Sequence, residues 1–463
     1  MAKEIIADYT SGKIGSQLLR FSVPFMLSNG LQVLYSLVDM IVVGKYVGSP
    51  GLSAVSTASQ IFTFMTMLAL GFSNSGQVLI AQYIGKGERE KIGSVVSTLF
   101  LIVTGFSAVM CVVGLALGRS VLTLLNTPVE AFEYAVDYTV VCSIGIFFSY
   151  GYNMVSAIFR GMGDSKHPFV FILIASAINI VLDVYFIKYL GWATMGAALA
   201  TIIGQAFSFV AAVIFLIVRR DSLGFEVSKE TLKPDKTSAR LLVKLGIPYA
   251  SQSCAVNLSM MFVNSLVNDV SVAASAVFGV GVKVDDIVNK ITQGIAFASS
   301  TMCAQNIAAG NKKRTVKISL TTGGYCAIFY AIFAVILVLF HEPIYGVFTD
   351  DPAVIELSSV FVSAILWSFP AMTLMRTGFG FLRGLGNAKI TLAFGLTDAL
   401  VLRVGLSYLF GIVMNMGLYG FFLGYGLAAF GIFPVVISAV MVKVCIERIN
   451  EIKKGEEDDI SKY

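Results

Sequence analysis

Charge is what this sequence has least of. Lysine, arginine, aspartate and glutamate together make up 13% of the 463 residues, where a soluble domain carries about a quarter. Histidine occurs only as His167 and His341, both in predicted loops, where they offer no zinc or triad chemistry. The cysteines Cys111, Cys142, Cys254, Cys303, Cys326 and Cys445 stand singly, with no CxxC pair, so they read as small buried residues and not as a disulfide or metal framework. No GxxxxGK[ST] phosphate loop is present, which excludes direct use of ATP. The net charge of +5 comes with no continuous basic face, which excludes a nucleic-acid partner. Met1 to Arg20 lacks a compact apolar core followed by a small-residue cleavage site, so no cleavable signal is expected. With no catalytic constellation in view, an enzyme is not expected.

Long uncharged runs take the place of charge. The composition is 56% hydrophobic with 43 glycines, and the mean hydropathy is +0.81. Runs such as 95–117, 169–187 and 315–339 each reach the ~20 residues of a membrane-spanning helix. Frequent glycine and alanine suit helices that pack closely in lipid. The expectation is an all-α polytopic membrane protein of about twelve spans. They are predicted near 15–43, 52–81, 93–117, 134–158, 168–187 and 194–218, then 239–267, 275–303, 315–340, 353–380, 390–412 and 418–445.

The chain is written twice. Arg160-Gly161-Met162-Gly163-Asp164 returns 223 positions later as Arg383-Gly384-Leu385-Gly386-Asn387, and Ala81-Gln82 returns as Ala304-Gln305. Pro24 and Pro128 return one residue further along, at Pro248 and Pro352. Two homologous six-helix lobes are expected, 1–218 and 239–446, joined by a hydrophilic cytoplasmic linker at 219–238 and followed by a charged tail at 447–463. Six helices per repeat is an even number, so the lobes share one membrane orientation, with a pathway between them, as in duplicated transporters. Lysine and arginine gather in one set of loops (Lys86 to Lys91, Arg160 to Lys166, Lys312 to Lys317, Arg383 to Lys389), which predicts that side, and both termini, to be cytoplasmic in the plasma (inner) membrane. Gly161 to Asp164 also spells the GxGD string of intramembrane aspartyl proteases, but its basic flanks and its repeat partner ending in Asn387 make it a glycine turn in a loop.

Ionisable residues inside spans are costly and are functional candidates. Asp39 lies deep in the first helix; Asn179 and Asp183 lie four apart, on one face of the fifth. Two carboxylates with amide and hydroxyl oxygens nearby suit a small hard cation, one raised carboxyl suits a proton, and a structural polar network between the helices is the plain alternative. Their repeat counterparts, Val263 or Phe262 and Leu406, are apolar, so ion handling is expected in the first lobe alone. The second lobe carries Lys283, Asp285, Asp286 and Lys290 on the eighth helix, Arg376 on the tenth, and Asp398 and Arg403 on the eleventh. Polar Gln32, Tyr35, Asn153, Gln252 and Asn257, with Asp285 and Asp286, are the candidates for a substrate cavity.

These features resemble the multidrug and toxic compound extrusion (MATE) family over about residues 10 to 450. The resemblance rests on the 6+6 architecture, the duplicated Arg-Gly-x-Gly-Asp/Asn, the stretch from Pro24 to Gly44, and Ala81-Gln82-Tyr83-Ile84-Gly85-Lys86-Gly87. It implies a secondary antiporter that exports amphipathic, often cationic organic compounds against inward Na+ or H+, needs no resident cofactor and functions as a monomer. The DinF-type branch implies a first-lobe cation site, matched here by Asp39, Asn179, Asp183 and Thr201, with Pro24 at the helix-1 bend. The NorM-type branch uses acidic residues on helices 7 and 10; here Gln252 stands in that part of helix 7, and 358–380 holds no carboxylate. A flippase of lipid-linked sugars from the same wider superfamily is the alternative, for which Arg376 and Arg403 would supply positive charge.

Overall fold

A computed structural model describes residues 6–219, 233–349, 351–431 and 443. The predicted linker falls mostly, and the predicted tail entirely, outside the described residues, as do Asp350 and the end of the twelfth helix.

Among the described residues every element is helical. The helices are α1 (Ile14–Tyr46), α2 (Ser49–Lys86), α3 (Ile92–Leu124), α4 (Val129–Gly161), α5 (Lys166–Tyr189) and α6 (Ala193–Val218). They continue with α7 (Lys236–Asn268), α8 (Val272–Ala308), α9 (Lys312–Gly346), α10 (Pro352–Ile365 and Ser368–Leu385), α11 (Ala388–Val413) and α12 (Gly417–Phe430). Each predicted segment has its helix, with ends extended by between none and seven residues, apart from the twelfth, which is described only as far as Phe430. The two arms of α10 are bent by 46°.

Eight of these helices are long and apolar enough to cross a membrane, or nine with α10 taken as one span. Helices α7 and α8 are long enough, at 33 and 37 residues, but carry too many polar side chains to qualify on composition. Helix α12 meets the edge of the described residues. Large apolar side chains face outward, among them Ile41, Leu101, Val112, Ile144 and Val181, each more than 60% exposed. A surface of that kind is at rest in hydrocarbon, where nothing drives it inward.

The repeated loop motif has a local cause. Gly163 (φ +84°) and Gly386 (φ +72°) occupy the left-handed conformation that closes a helix. Gly163 N–H donates to the Arg160 carbonyl at 3.0 Å and Asp164 N–H to Phe159 at 2.9 Å; Gly386 and Asn387 repeat this with Arg383 and Leu382. The next residue then starts the following helix: Asp164 Oδ1 accepts from Lys166 N–H at 2.9 Å, and Asn387 Oδ1 from Ile390 N–H at 3.3 Å. The string is a helix stop joined to a helix start, with no catalytic aspartate in it.

The chain divides into two compact units. The first comprises Arg20–Cys254 with the stretch through Ala7; the second comprises Ala255 onward with Asp8–Leu19. The division falls inside α1 and α7 instead of at 219–238. The start of α7 belongs to the first unit because α2 meets it closely: a Cβ on Gly71 would lie 2.5 Å from Ala250 N and Gly246 O. Just before α7, Asp235 accepts from Ser94 Oγ at 2.5 Å and from the N–H of Thr237 and Ser238. In the first unit α4 packs against α2, α3 and α6; in the second α8 packs against α9 and both arms of α10.

Candidate functional site

Three helices of the first unit bring polar side chains together. On α1, Tyr35 and Asp39 are four apart and share a face. Proline inside α1 at position 24 removes a backbone donor, and Ser28 Oγ donates to the Pro24 carbonyl at 2.8 Å, a side-chain bond of the kind that bends helices. On α5, Asn179 and Asp183 share a face; directly after Asp183 the helix widens into a π turn over Val184–Tyr189, a form found often at functional sites. On α6, Thr201 and Gln205 repeat the four-residue spacing.

Helices α5 and α6 meet at Gly204, where a Cβ would lie 3.1 Å from the Ala175 carbonyl and 3.5 Å from Asn179 Cβ. That close approach lets Asn179 Nδ2 donate to Thr201 Oγ1 at 3.5 Å. Tyr35, Asn179, Thr201 and Gln205 line one small cleft. Tyr35 pairs with the Gln205 side chain and lies within electrostatic range of Asp39 and Asp183, which also act on each other.

Asp39, Asn179 and Asp183 are buried, Asp183 completely. Asp39 Oδ1, Asn179 Oδ1, both carboxylate oxygens of Asp183, and Gln205 Oε1 have no hydrogen-bond partner. All five are acceptors. Among the described residues neither carboxylate forms an ion pair, and no lysine or arginine acts on either. Unpaired buried charge of one sign is expensive, and nothing among the described residues offsets it here.

The structure thus gathers Asp39, Asn179, Asp183, Thr201 and Tyr35 in one unit. Gln32 and Asn153 are half-buried in the same unit, Asn153 spending one amide hydrogen on the Ser149 carbonyl of its own helix. Gln252 is buried in the first unit with Oε1 unpartnered. Asn257, Asp285 and Asp286 belong to the second unit. Gln205 was missed by sequence reading; its one signal was its place one turn after Thr201.

The second unit holds charges of both signs, and they compensate. Arg403 Nη2 donates to Asp398 Oδ2 at 3.1 Å, both buried, and its guanidinium lies 5.0 Å from the Tyr425 ring. Asp285 Oδ2 accepts from Asn289 Nδ2 at 2.9 Å and from Tyr425 Oη at 3.3 Å. Arg376 Nη2 donates to the carbonyl and Oδ1 of Asn289, each at 3.2 Å. Two acids and two bases around α8, α10 and α11 sum to zero. Asp286 stands apart, exposed and 3.4 Å from Lys290 Nζ. Asp285 does line a cleft, but its neighbours there are apolar, Leu337, Tyr345 and Phe361 among them.

The chain matches the MatE family over residues 24–185 and again over 248–409, the two halves of the repeat. It is 29% identical over 421 residues to the probable multidrug resistance protein YpnP of Bacillus subtilis, covering 91% of this chain and 93% of that one. To the probable multidrug resistance protein NorM of Thermotoga maritima it is 26% identical, with 89% of each covered. Its fold is similar to that of an outward-facing multidrug resistance MATE family transporter (TM-score 0.88, 22% identity, 94% of this chain and 98% of that one). It is similar as well to a MOP superfamily transporter from Pyrococcus furiosus (TM-score 0.90, 21% identity, 94% and 98%). Family matches over both halves, on a fold of two helical units, show that this multi-pass chain belongs to the MatE family.

Proposed function

We propose that this chain is a secondary antiporter of the DinF type, exporting amphipathic, often cationic organic compounds in exchange for inward Na+ or H+. The observation that carries this reading is the buried pair Asp39 and Asp183, which contributes three unpartnered acceptor oxygens beside that of Asn179, with no lysine or arginine acting on either carboxylate. Such a site is stable only when a cation or protons occupy it. Asp39 is the central carboxylate, with Asp183, Asn179 and Thr201 completing the site. Because Asp39, Tyr35 and Gln32 ride on α1 above the Pro24 bend, occupancy of the site biases the shape of α1 and the polar surface offered to substrate.

Coupling needs only that ion and substrate favour different members of an inward/outward equilibrium. The names borne by the curated relatives, probable multidrug resistance proteins, support organic compounds as cargo. The protein works as a monomer without a resident cofactor, in the plasma (inner) membrane with both termini cytoplasmic. Lipid-linked sugar export is the weaker reading, since Arg403 is paired with Asp398 and Arg376 is offset by Asp285, leaving no net positive charge for a pyrophosphate.

Efflux of a fluorescent organic cation from proteoliposomes, with Na+ and pH gradients imposed separately, tests this. One gradient accelerates efflux, and Asp39→Asn abolishes the acceleration while the protein stays folded. Efflux indifferent to both gradients, or normal in Asp39→Asn, overturns the proposal.

A further inference from the structure

At the ends of α1 and α5, beyond Asp39 and Asp183, the first unit carries an exposed aromatic patch with two lysines in it. Lys45 lies in the last turn of α1 and Lys188 in the π turn of α5, with Tyr46, Tyr185, Tyr189 and Trp192 exposed around them. Local bonds fix the patch. Trp192 N–H donates to the Phe186 carbonyl at 3.0 Å, and its ring stacks on Phe186 with centroids 5.2 Å apart. Two helices bring their ammonium groups to one ring: Lys45 Nζ is 5.8 Å and Lys188 Nζ 6.0 Å from the centre of Tyr46. Lys188 Nζ is also 5.1 Å from the centre of Tyr189. A ring face attracts a cation but does not neutralise it. Among the described residues neither lysine forms an ion pair. One turn before Lys45, on the same face of α1, stands Ile41, and one turn before Tyr185 stands Val181, 66% and 67% exposed.

We infer that Lys45 and Lys188 form a binding site for the phosphate of an anionic phospholipid, in the leaflet opposite the basic loops that follow α2 and α4. Three features of the patch match that ligand better than a water-soluble anion. Tyrosine and tryptophan, apolar rings with one polar edge, settle at headgroup level. Lysine placed there lays its stem along apolar surface and turns its ammonium to the phosphates. Ile41 and Val181, deeper along the same helices, offer exposed apolar surface to acyl chains, which a free phosphate lacks. A zwitterionic lipid brings its own positive charge, so two unpaired ammonium groups favour phosphatidylglycerol over phosphatidylcholine, by about fivefold for each lysine. Lys45 follows Asp39 on α1 and Lys188 follows Asp183 on α5. A phosphate held by both lysines therefore ties together the ends of the two helices that bear the acidic pair. The site stands whichever ion that pair takes.

Tryptophan supplies a local readout, because Trp192 and Trp367 are the only two in the chain. The full-length protein carrying Trp367→Phe, reconstituted in phosphatidylcholine vesicles, reports from Trp192 alone. Trp192→Phe, which keeps a ring against Phe186, reports from Trp367 in the second unit. Small, equal fractions of phosphatidylglycerol or phosphatidylcholine with brominated acyl chains are then added, and quenching gives each tryptophan's relative affinity for the two lipids. At Trp192 phosphatidylglycerol is preferred about twentyfold, the product of two lysines at about fivefold each, and at Trp367 the two lipids quench alike. Lys45→Gln and Lys188→Gln each lower the Trp192 preference about fivefold, and the double variant removes it. Lys86→Gln, at the far end of α2, leaves it unchanged. Equal quenching of Trp192 by the two lipids, the same preference at both tryptophans, or a preference indifferent to the two lysines overturns the site. Quenching of Trp192 by neither lipid means that another surface covers the patch, and overturns it as well.

Discussion

Arg403 and Asp398, five residues apart on α11, form an ion pair at 3.1 Å with both side chains 3–4% exposed. A π turn over Thr397–Arg403 provides the spacing, because the wider turn brings residues five apart onto one face. The cluster around Asp39 and Asp183 in the first unit has the opposite arrangement, two buried carboxylates with no lysine or arginine acting on either. The two halves share one repeat, yet the second neutralises its buried charge internally, while Asp39 and Asp183 of the first have no counter-charge among the described residues.

That distinction has a measurable consequence. Removing one member of the second-unit pair, as in Asp398→Asn or Arg403→Met, leaves an uncompensated buried charge or a broken network and should cost about 3–5 kcal/mol of stability. Replacing both by apolar residues of similar volume should recover most of the loss. Thermal melting of the detergent-solubilised protein checks this, and a double variant no more stable than the singles would sink the idea. By contrast, Asp39→Asn, with Na+ absent, should leave stability unchanged or raise it, since it removes charge that nothing balances.

Gly204 is where α5 and α6 come closest to the site. Gly204→Ala puts a Cβ 3.1 Å from the Ala175 carbonyl, so the helices must part by a few tenths of an ångström. Overpacking of this kind costs about 1–3 kcal/mol, and it should also weaken the ion response by loosening the Asn179–Thr201 contact. Gly105→Ala on α3, where a Cβ meets nothing within 4 Å, is the control and should be neutral. Equal melting temperatures for both variants would show that the helix contact is slack.

How much of this was legible in the sequence follows from how local each feature is. Helices, their stops and the duplicated Arg-Gly-x-Gly-Asp/Asn turn depend on residues a few positions apart, so Gly163 and Asp164 announce their structure directly. Asn179 and Asp183 were legible because a carboxylate in an apolar span has few innocent explanations. Gln205 was not, since an amide in a span has many, and only its packing against α5 and Tyr35 separates them. The balance of the second unit depends on Tyr425 meeting Asp285 across 140 residues, which no local pattern encodes. The placing of Asp8–Leu19 and Lys236–Cys254 is equally non-local, set by close contacts such as Gly71 against Ala250.

Asp235 gives a pH signature outside the membrane. Burial alone would push its carboxyl up, but hydrogen bonds from Ser238, Ser94 and Thr237 outweigh that and hold it well below the ordinary carboxylate range. A carboxyl depressed in the folded state contributes stability that is complete above the unfolded value of about 3.9 and is lost as pH falls toward the folded one. The melting temperature of the wild type should therefore fall on acidification from about pH 5 to pH 3 more steeply than that of Asp235→Asn. Parallel curves for the two proteins would remove Asp235 from the acid response.

Arg314 anchors the N-terminal stretch within the second unit. Its guanidinium donates to the carbonyls of Tyr9, Gly12 and Ser11 and to Gln17 Oε1 at 3.0, 2.8, 2.7 and 2.9 Å. Asn306 Nδ2 adds a bond to the Tyr9 carbonyl at 3.0 Å, and Tyr9 N–H donates to Gln305 Oε1 at 2.9 Å. Only the planar guanidinium fork reaches so many acceptors at once. Arg314→Ala should free the backbone around the exposed Lys13, raising the rate of tryptic cleavage there about tenfold or more, because opening that costs 1.4 kcal/mol less is ten times as frequent. Arg314→Lys, a point charge without the fork, should fall between wild type and Ala. Cleavage after Lys13 at the wild-type rate in Arg314→Ala would mean that Gln305 and Asn306 hold the segment without help.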